Sequence, residues 1–445
     1  MIKFKNLLKS NIFKFTSVLG FNQALNFLLV FIYLKTIDSS IYGTLGLLQG
    51  YAVLISLIAM LGVRDGFYTL YYKVEKSILY VNVFLFFIVM LGVVTLFSIY
   101  FKDMFLSFLS ISQEFYYLTF LYAMSHALYS ILEITMRLES WNNLYLSISL
   151  IRGILVFTLK LYFVLHLNND IEFVSNILYT DISSYLIISI ILFIYINIKV
   201  LKFKYHVDFS LYIRLFKVSL PFLASNGSGW IFNGFDRILI ERFFSLEVLG
   251  IYMYGTRIAA AIGGIIHQVL YLLYGPKSLK LLSENRVIDM ELLGKKIVKW
   301  LLPLVFLAFI FASLLYTSLE YLNIQAYRLI SLIFLATFLV EIAKISPRIN
   351  GQKLLFLEKS HILSALSIGS SMILIPLYYL FLPILGIGMI FLSQLFIYMM
   401  TTYLTHQYIL TKTMYKVVRI DYKLWLLLLS INILLSVYIF DFLGK

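Results

Sequence analysis

Residues 231–244, IFNGFDRILIERFF, set Asp236, Arg237, Glu241 and Arg242 among side chains otherwise fit for lipid. A charge held at the centre of a bilayer costs roughly 3 kcal/mol or more, and groups kept there in spite of that cost face protein or water and mark paths for polar cargo. At helical spacing Asn226, Gly229, Asn233, Arg237 and Glu241 fall along one side of a single helix, a polar stripe on an apolar rod. Arginine stays ionised in any realistic environment and offers a planar fork of donors that matches phosphate. The chemistry this predicts is recognition of an anion. The opposing reading is a locked hairpin in which Asp236 and Glu241 neutralise the arginines, and Asp236 is assigned to structure.

Further charges fall in apolar segments. Arg257 lies about as far from the 244–246 loop as Arg237 does, so the two are level to within about a turn at 1.5 Å per residue. Behind it Ala261, Gly264, Gln268 and Tyr271 make a small and polar track. Arg152 and Lys160 share a face of one segment. Lys160 is at the depth of Asp181, and the two are expected to pair. Glu133 is within reach of Arg152, but Glu133 and Arg137 are also spaced i, i+4, which leaves the partner open. Arg64, in LGVRDGF, sits at an inner mouth, either as a first contact for phosphate or as a solvated anchor beside Asp65. His126 and His267 titrate near neutral pH; the choices are proton coupling or a satisfied buried imidazole. The candidate cavity cations are thus Arg257, Arg237, Arg152 and Arg64, the candidate polar lining is Asn226, Asn233 and Gln268, and Asp236, Glu241, His126 and His267 are ion-coupling or structural. Glu341 and Lys344 are assigned to the inner interface.

The elements that must position these groups follow from composition. The chain is 61% hydrophobic and 13% charged, with a mean hydropathy of +0.92, against about a quarter charged in an average soluble protein. It reads as an all-α polytopic membrane protein. Spans of about 20 apolar residues occur near 12–34, 44–62, 78–100, 114–136, 144–166 and 177–198, then near 216–240, 251–275, 298–320, 327–346, 362–381 and 386–408, with a further apolar run at 424–440. Lys and Arg, 36 against 22 Asp and Glu, gather at the N-terminus and in the even-to-odd loops. The positive-inside rule then places the N-terminus in the cytoplasm and, if 424–440 spans, Lys445 outside. The basic connections 199–215 and 276–297 read as interfacial helices on anionic lipid, and most of the 34 tyrosines as interfacial belts. The basic N-terminus reads as the lead into a retained first span.

Chemistry of other kinds lacks its residues. There is no cysteine, hence no disulfide, thiolate nucleophile or Cys-ligated metal. No Walker loop or His-x-x-x-His helix is present, and no metal or cofactor is expected. The outer loops are too short for the catalytic domain of a membrane-embedded polymerase, ligase or glycosyltransferase, so a transporter is expected rather than an enzyme.

A shift of 207 positions lays Gly20 on Gly227, Asn26 on Asn233, Lys35 on Arg242 and Gly43 on Gly250. Six spans per half make the repeat parallel, and such repeats commonly hold substrate between them. The expected organisation is a six-helix lobe over 1–205, a second over 206–411, and a basic loop with an extra helix over 412–445. That gives 12 transmembrane helices, or 13 if 424–440 spans, around a central cavity.

SLPFLASNGSGWIFNGFDRILIERFFSLEVLGIYMYGTRIAAAI (219–262), IYGTLGLLQGYAVLISLIAMLGVRDGF (41–67) and YYLFLPILGIGMIFLSQLFIYMMTTYLTH (378–406) resemble elements of the multidrug/oligosaccharidyl-lipid/polysaccharide exporter superfamily, and within it the Wzx-type O-unit flippases. The resemblance implies alternating access and transfer of an undecaprenyl-pyrophosphate-linked oligosaccharide, an O-antigen or other surface-polysaccharide repeat unit, across the bacterial inner membrane. It also implies polysaccharide polymerase machinery as a partner and leaves coupling to H+ or Na+ open. YGTRI is similar to the Tyr-x-x-Arg element of the related lipid II flippases, which implies a cavity role for Arg257. A cation-coupled multidrug exporter of the same superfamily is the alternative; it would favour acidic cavity residues.

Overall fold

The structure, a computed structural model, describes residues 11–443 apart from 72–73, 110–111, 140, 167–169, 202–205, 285, 325, 357–358 and 413–421. All regular structure among them is helical. The chain divides into two compact units, 47–234, and 1–46 together with 235–445.

The 47–234 unit begins within α2 (Ser39–Met60) and continues through α3 (Val63–Leu70), α4 (Lys76–Tyr100), α5 (Lys102–Leu109), α6 (Gln113–Leu138), α7 (Asn142–His166), α8 (Asp170–Ile196) and α9 (Phe209–Asn233). α6 packs on α8, α8 on α7, and α9 on α3. α3 is short and amphipathic: Val63, Gly66, Phe67 and Leu70 recur at i, i+3, i+4 and i+7 and are buried. Just past its C-terminal end, Tyr71 donates to Glu139 Oε1 at 2.5 Å and Lys76 Nζ lies 3.0 Å from Glu139 Oε2. Burial and this carboxylate push the Tyr71 hydroxyl up to about 12. The entry to α9 is fixed by its cap, Asp208 Oδ1 accepting from Ser210 N at 2.9 Å, and by Asp208 N donating to Asn82 Oδ1 at 3.0 Å. The bonds from Ser210 hold the Asp208 carboxyl below its usual range.

The other unit holds α1 (Asn11–Thr36), the start of α2, α10 (Phe235–Phe243), α11 (Leu246–Ser283), α12 (Val287–Lys299), α13 (Leu301–Tyr321), α14 (Tyr327–Ala343), α15 (Ile345–Phe356), α16 (Ser360–Leu385), α17 (Gly388–Lys412) and α18 (Tyr422–Leu443). α11, at 38 residues, is its spine and packs on α14 and α1. Gly255 and Gly263 make the α14 contact close: a Cβ would stand 2.5 Å from Ile333 Cγ2 and 2.9 Å from Glu341 Cγ respectively. α16 turns into α17 at Gly386, whose φ of +70° favours glycine.

Among the described residues ten helices are long and apolar enough to cross a membrane, and Leu424–Phe440 is a shorter apolar helix. Two of the expected spans differ. Residues 114–136 form α6, whose Glu114, His126, Glu133 and Arg137 dilute its apolar character. Residues 216–240 do not form one rod. The chain is helical already from Phe209, at a point expected to be an interfacial connection, and stops at Asn233, where Gly234 takes φ −146° before α10 begins. The neighbouring connection 276–297 divides between the end of α11 and α12.

Candidate functional site

The break at Gly234 interrupts the stripe expected on a single helix. Asn226, Gly229 and Asn233 belong to α9, and Arg237 and Glu241 to α10. On α9, Asn226 Nδ2 donates to Asp65 Oδ2 at 2.8 Å, and Trp230 Nε1 to the Gly50 carbonyl at 3.0 Å. Asn233 turns back to its own helix, donating to the Gly229 carbonyl at 2.7 Å. Beside Asp65, Arg64 makes no hydrogen bond or ion pair among the described residues and is half-buried.

In the first turn of α10 the buried Asp236 accepts from Arg237 N at 2.9 Å and from the Tyr252 hydroxyl on α11. Its carboxylate is therefore committed. The Arg237 side chain reaches the other way, Nη1 donating to the Gly46 carbonyl at 3.1 Å. Arg257 lies over the Tyr42 ring at 5.1 Å, and Tyr42 stacks on Tyr254 with centroids 4.0 Å apart and planes 5° from parallel. Sequence reasoning placed both arginines near one depth. It missed that the start of α2 supplies their partners. Glu241 is half-buried and has no hydrogen-bond or ion-pair partner among the described residues. The Gln268 side chain lies outside the described residues.

Deeper along α11, His267 Nε2 lies 2.9 Å from Glu341 Oε2 on α14, and Lys344 Nζ lies 2.5 Å from Glu341 Oε1. The Lys344 ammonium sits 5.8 Å from the Tyr398 ring of α17. This triad joins one residue read as ion-coupling or structural with two assigned to an interface.

In the 47–234 unit, Lys160 Nζ lies 2.8 Å from Asp181, the expected pair. Arg137 lies 2.6 Å from Glu133, which resolves the open partner: Glu133 goes to its own helix and not to Arg152. Arg152 instead donates from Nε to Ser184 Oγ at 3.3 Å and lies over two rings, Tyr185 at 4.0 Å and Tyr129 at 5.2 Å. His126 Nδ1 meets Ser56 Oγ at 3.0 Å, a satisfied imidazole. Tyr185 and Ser184 lie four and three residues beyond Asp181, on its face of α8, so the helical period could have found them. A separate cavity of about 320 Å³, lined by Tyr51, Ile55, Ile58, Val93, Phe97 and Phe120 among others, is apolar throughout and suits hydrocarbon rather than a charged group.

Among the described residues no carboxylate lies within ion-pair distance of Arg152 or Arg237. No group of three His, Asp or Glu side chains among them is arranged to hold a metal ion.

No family model matches the sequence, and no curated protein matches it. Solved structures do match the fold. The lipid II flippase MurJ in an inward closed conformation aligns over 97% of this chain and 98% of its own, with a TM-score of 0.69 at 14% identity. An inward-facing multidrug resistance MATE family transporter of the MOP superfamily aligns over 87% of this chain and 94% of its own, with a TM-score of 0.66 at 13% identity. An outward-facing MATE transporter of that superfamily aligns over 91% and 96%, with a TM-score of 0.53 at 13% identity. The likeness is one of fold.

Proposed function

We propose that this chain is a flippase that moves an undecaprenyl-pyrophosphate-linked oligosaccharide, the repeat unit of a surface polysaccharide, across the bacterial inner membrane by alternating access. In this reading α6 and the α9–α10 pair complete a set of twelve spans, α18 adds a thirteenth, and two six-helix lobes enclose the path. The observation that carries it is the pair of half-buried arginines, Arg152 and Arg237, that have no carboxylate within ion-pair distance among the described residues. A diphosphate needs compensating charge to leave water, and a guanidinium supplies it in bidentate geometry. Arg152 meets a hydroxyl and two rings, Arg257 lies over a ring and Arg237 donates to a carbonyl, contacts with which a diphosphate would compete. The fold shared with a lipid II flippase supports a cargo with a lipid tail. The test is complementation of a flippase-deleted strain. Arg152→Gln and Arg257→Ala are expected to reach the membrane in normal amount and to lose complementation, and full activity of both would remove the assignment.

The comparable likeness to a multidrug transporter, together with Glu341 held inside the fold, favours one second reading, a cation-coupled drug exporter. A susceptibility panel separates the two: broad drug resistance on expression, with no complementation, selects the exporter.

A further inference from the structure

The apolar cavity of the 47–234 unit is walled by α2, α4, α5 and α6 and measures about 320 Å³. The hydroxyls of Tyr116 and Ser98 in its wall make their bonds within the protein. Tyr116 donates to the Ser98 carbonyl at 2.8 Å, and Ser98 Oγ to the Thr95 carbonyl at 2.8 Å. Tyr51 is engaged as well, and the remaining wall side chains carry no N–H or O–H. A buried water needs several polar partners to stay in place, and this wall is poor in them. An empty space of this size would forfeit dispersion contact along every wall. Both facts favour hydrocarbon as the filling.

Ile58 of α2 and Val93 and Phe97 of α4 line the cavity and are also exposed, so its mouth lies between those helices. α4 is long and apolar enough to cross a membrane, and its exposed neighbours of the mouth, Val89 and Leu96, are apolar too. A chain already in the bilayer therefore enters without passing polar groups. The surroundings change at the end of α4. Tyr100 is exposed, α5 begins at Lys102, and Lys102 Nζ lies 5.2 Å from the ring of Tyr117, the residue beside Tyr116 of the wall. Phe105, one turn on from Lys102, lines the cavity. Tyrosine and lysine at the end of a spanning helix belong at headgroup level. Lys102 thus holds its charge near the height at which a lipid carries phosphate. We propose that this cavity is a phospholipid site, with one acyl chain entering between α2 and α4 and the phosphate pairing with Lys102. Phospholipid surrounds a membrane protein on every side, so mass action favours it over a scarcer lipid. The bound chain completes the packing of the 47–234 unit where its own side chains leave space. None of the arginines assigned to cargo lines the cavity, and the site does not rest on that assignment.

Protein purified in detergent and stripped of lipid should gain thermal stability when phosphatidylglycerol is added. Val94→Phe, which fills the cavity from its wall, should show no such gain while melting no lower than the stripped native protein. Native mass spectrometry should find one more phospholipid on the native chain than on this variant. Lys102→Ala should weaken binding of phosphatidylglycerol roughly fivefold or more. It should leave the weaker binding of diacylglycerol, which lacks the phosphate, unchanged. Equal lipid retention by native protein and Val94→Phe would overturn the proposal. So would equal loss of both lipids in Lys102→Ala, the mark of a lysine that only holds the fold. If Val94→Phe does not accumulate, Ile58→Trp at the exposed mouth takes its place with the same expected readings. Undecaprenyl phosphate that displaces phosphatidylglycerol at equal concentration, and is itself excluded by Val94→Phe, would give the cavity to a polyprenyl tail and overturn the phospholipid assignment. Because these measurements involve no transport, the site stands or falls apart from the proposed function.

Discussion

Two cations on one face of α7 have opposite solutions. Lys160 is held 2.8 Å from Asp181, whereas Arg152 spreads its flat face over Tyr185 and Tyr129. An ammonium needs a counter-ion; a guanidinium tolerates rings. Lys160→Met should therefore cost about 3 kcal/mol or more, because Asp181 is left buried and unpaired, while Lys160→Met with Asp181→Leu should regain most of the loss. Thermal melts of the purified protein in detergent decide this, and equal destabilisation by the single and double variants would contradict it. The Lys160–Asp181 pair was legible because both residues stand at a fixed depth on adjacent spans. His267 and Glu341 were not: they lie 74 residues apart, on helices whose rotation about their axes no pattern of apolar residues specifies. Lys353 gives a pH-dependent case outside the spans. It is fully buried, and burial lowers its amine to about 8. The unfolded chain holds the proton up to about 10.4, the folded chain only to about 8, so between those values the unfolded state binds more protons and stability rises with pH. Below about 8 the full penalty is present. Lys353→Met should accordingly raise the melting temperature at pH 7 and lose most of that advantage at pH 10; an advantage independent of pH would refute the titration.

At the scale of elements, α3 meets α9 through two glycines that look alike and should behave differently. Gly62 has φ +71° and faces a backbone atom, a Cβ there lying 2.2 Å from the Ser219 carbonyl oxygen. Gly66 faces a side chain, Ser219 Oγ at 2.1 Å, with Ser219 Cβ next at 3.3 Å. Gly66→Ala should destabilise the protein, and Ser219→Ala should rescue it by removing the blocking hydroxyl. Gly62→Ala should cost about 1–3 kcal/mol through backbone strain and more through the clash with the Ser219 carbonyl, with no rescue by Ser219→Ala, since the carbonyl remains. Melting temperatures of the four variants test the distinction; rescue of both glycine substitutions would defeat it. The same region shows where reading elements from sequence stops. Long apolar runs gave most helices because a spanning helix must satisfy its own backbone in lipid. They gave no warning that α9 ends at Asn233, because apolar residues continue on both sides. The signal was the Asn233–Gly234 dipeptide, a turn former placed inside an otherwise helical pattern. Overlooking it joined Asn226 and Asn233 to Arg237 in a single stripe.

For the whole molecule the open question of sequence, whether 424–440 crosses the membrane, gains physical content from α18. Its 22 residues extend roughly 33 Å, enough for a hydrocarbon core of about 30 Å. One face is buried: Leu428, Asn432, Leu435, Ser436 and Ile439 recur at helical spacing, and Ser436 Oγ donates to the Gly388 carbonyl at 2.9 Å where α17 begins. Gly388 permits the approach, since a Cβ there would stand 2.5 Å from Ser436 Cα. The opposite face presents Leu426, Ile433, Leu434, Val437 and Tyr438, each at least 46% exposed, a row that water would penalise and lipid would not. Antiparallel packing on α17 predicts that α18 returns across the same thickness, so that the basic segment 412–423 precedes the crossing and the C-terminal end follows it. A reporter active only outside the cytoplasm should therefore be active when fused after Lys445 and inactive when fused after Asp421, with a fluorescent cytoplasmic reporter giving the reverse. Matching signals at the two fusion points would mean that α18 lies along the membrane rather than through it, and the orientation of the last helix would have to be redrawn.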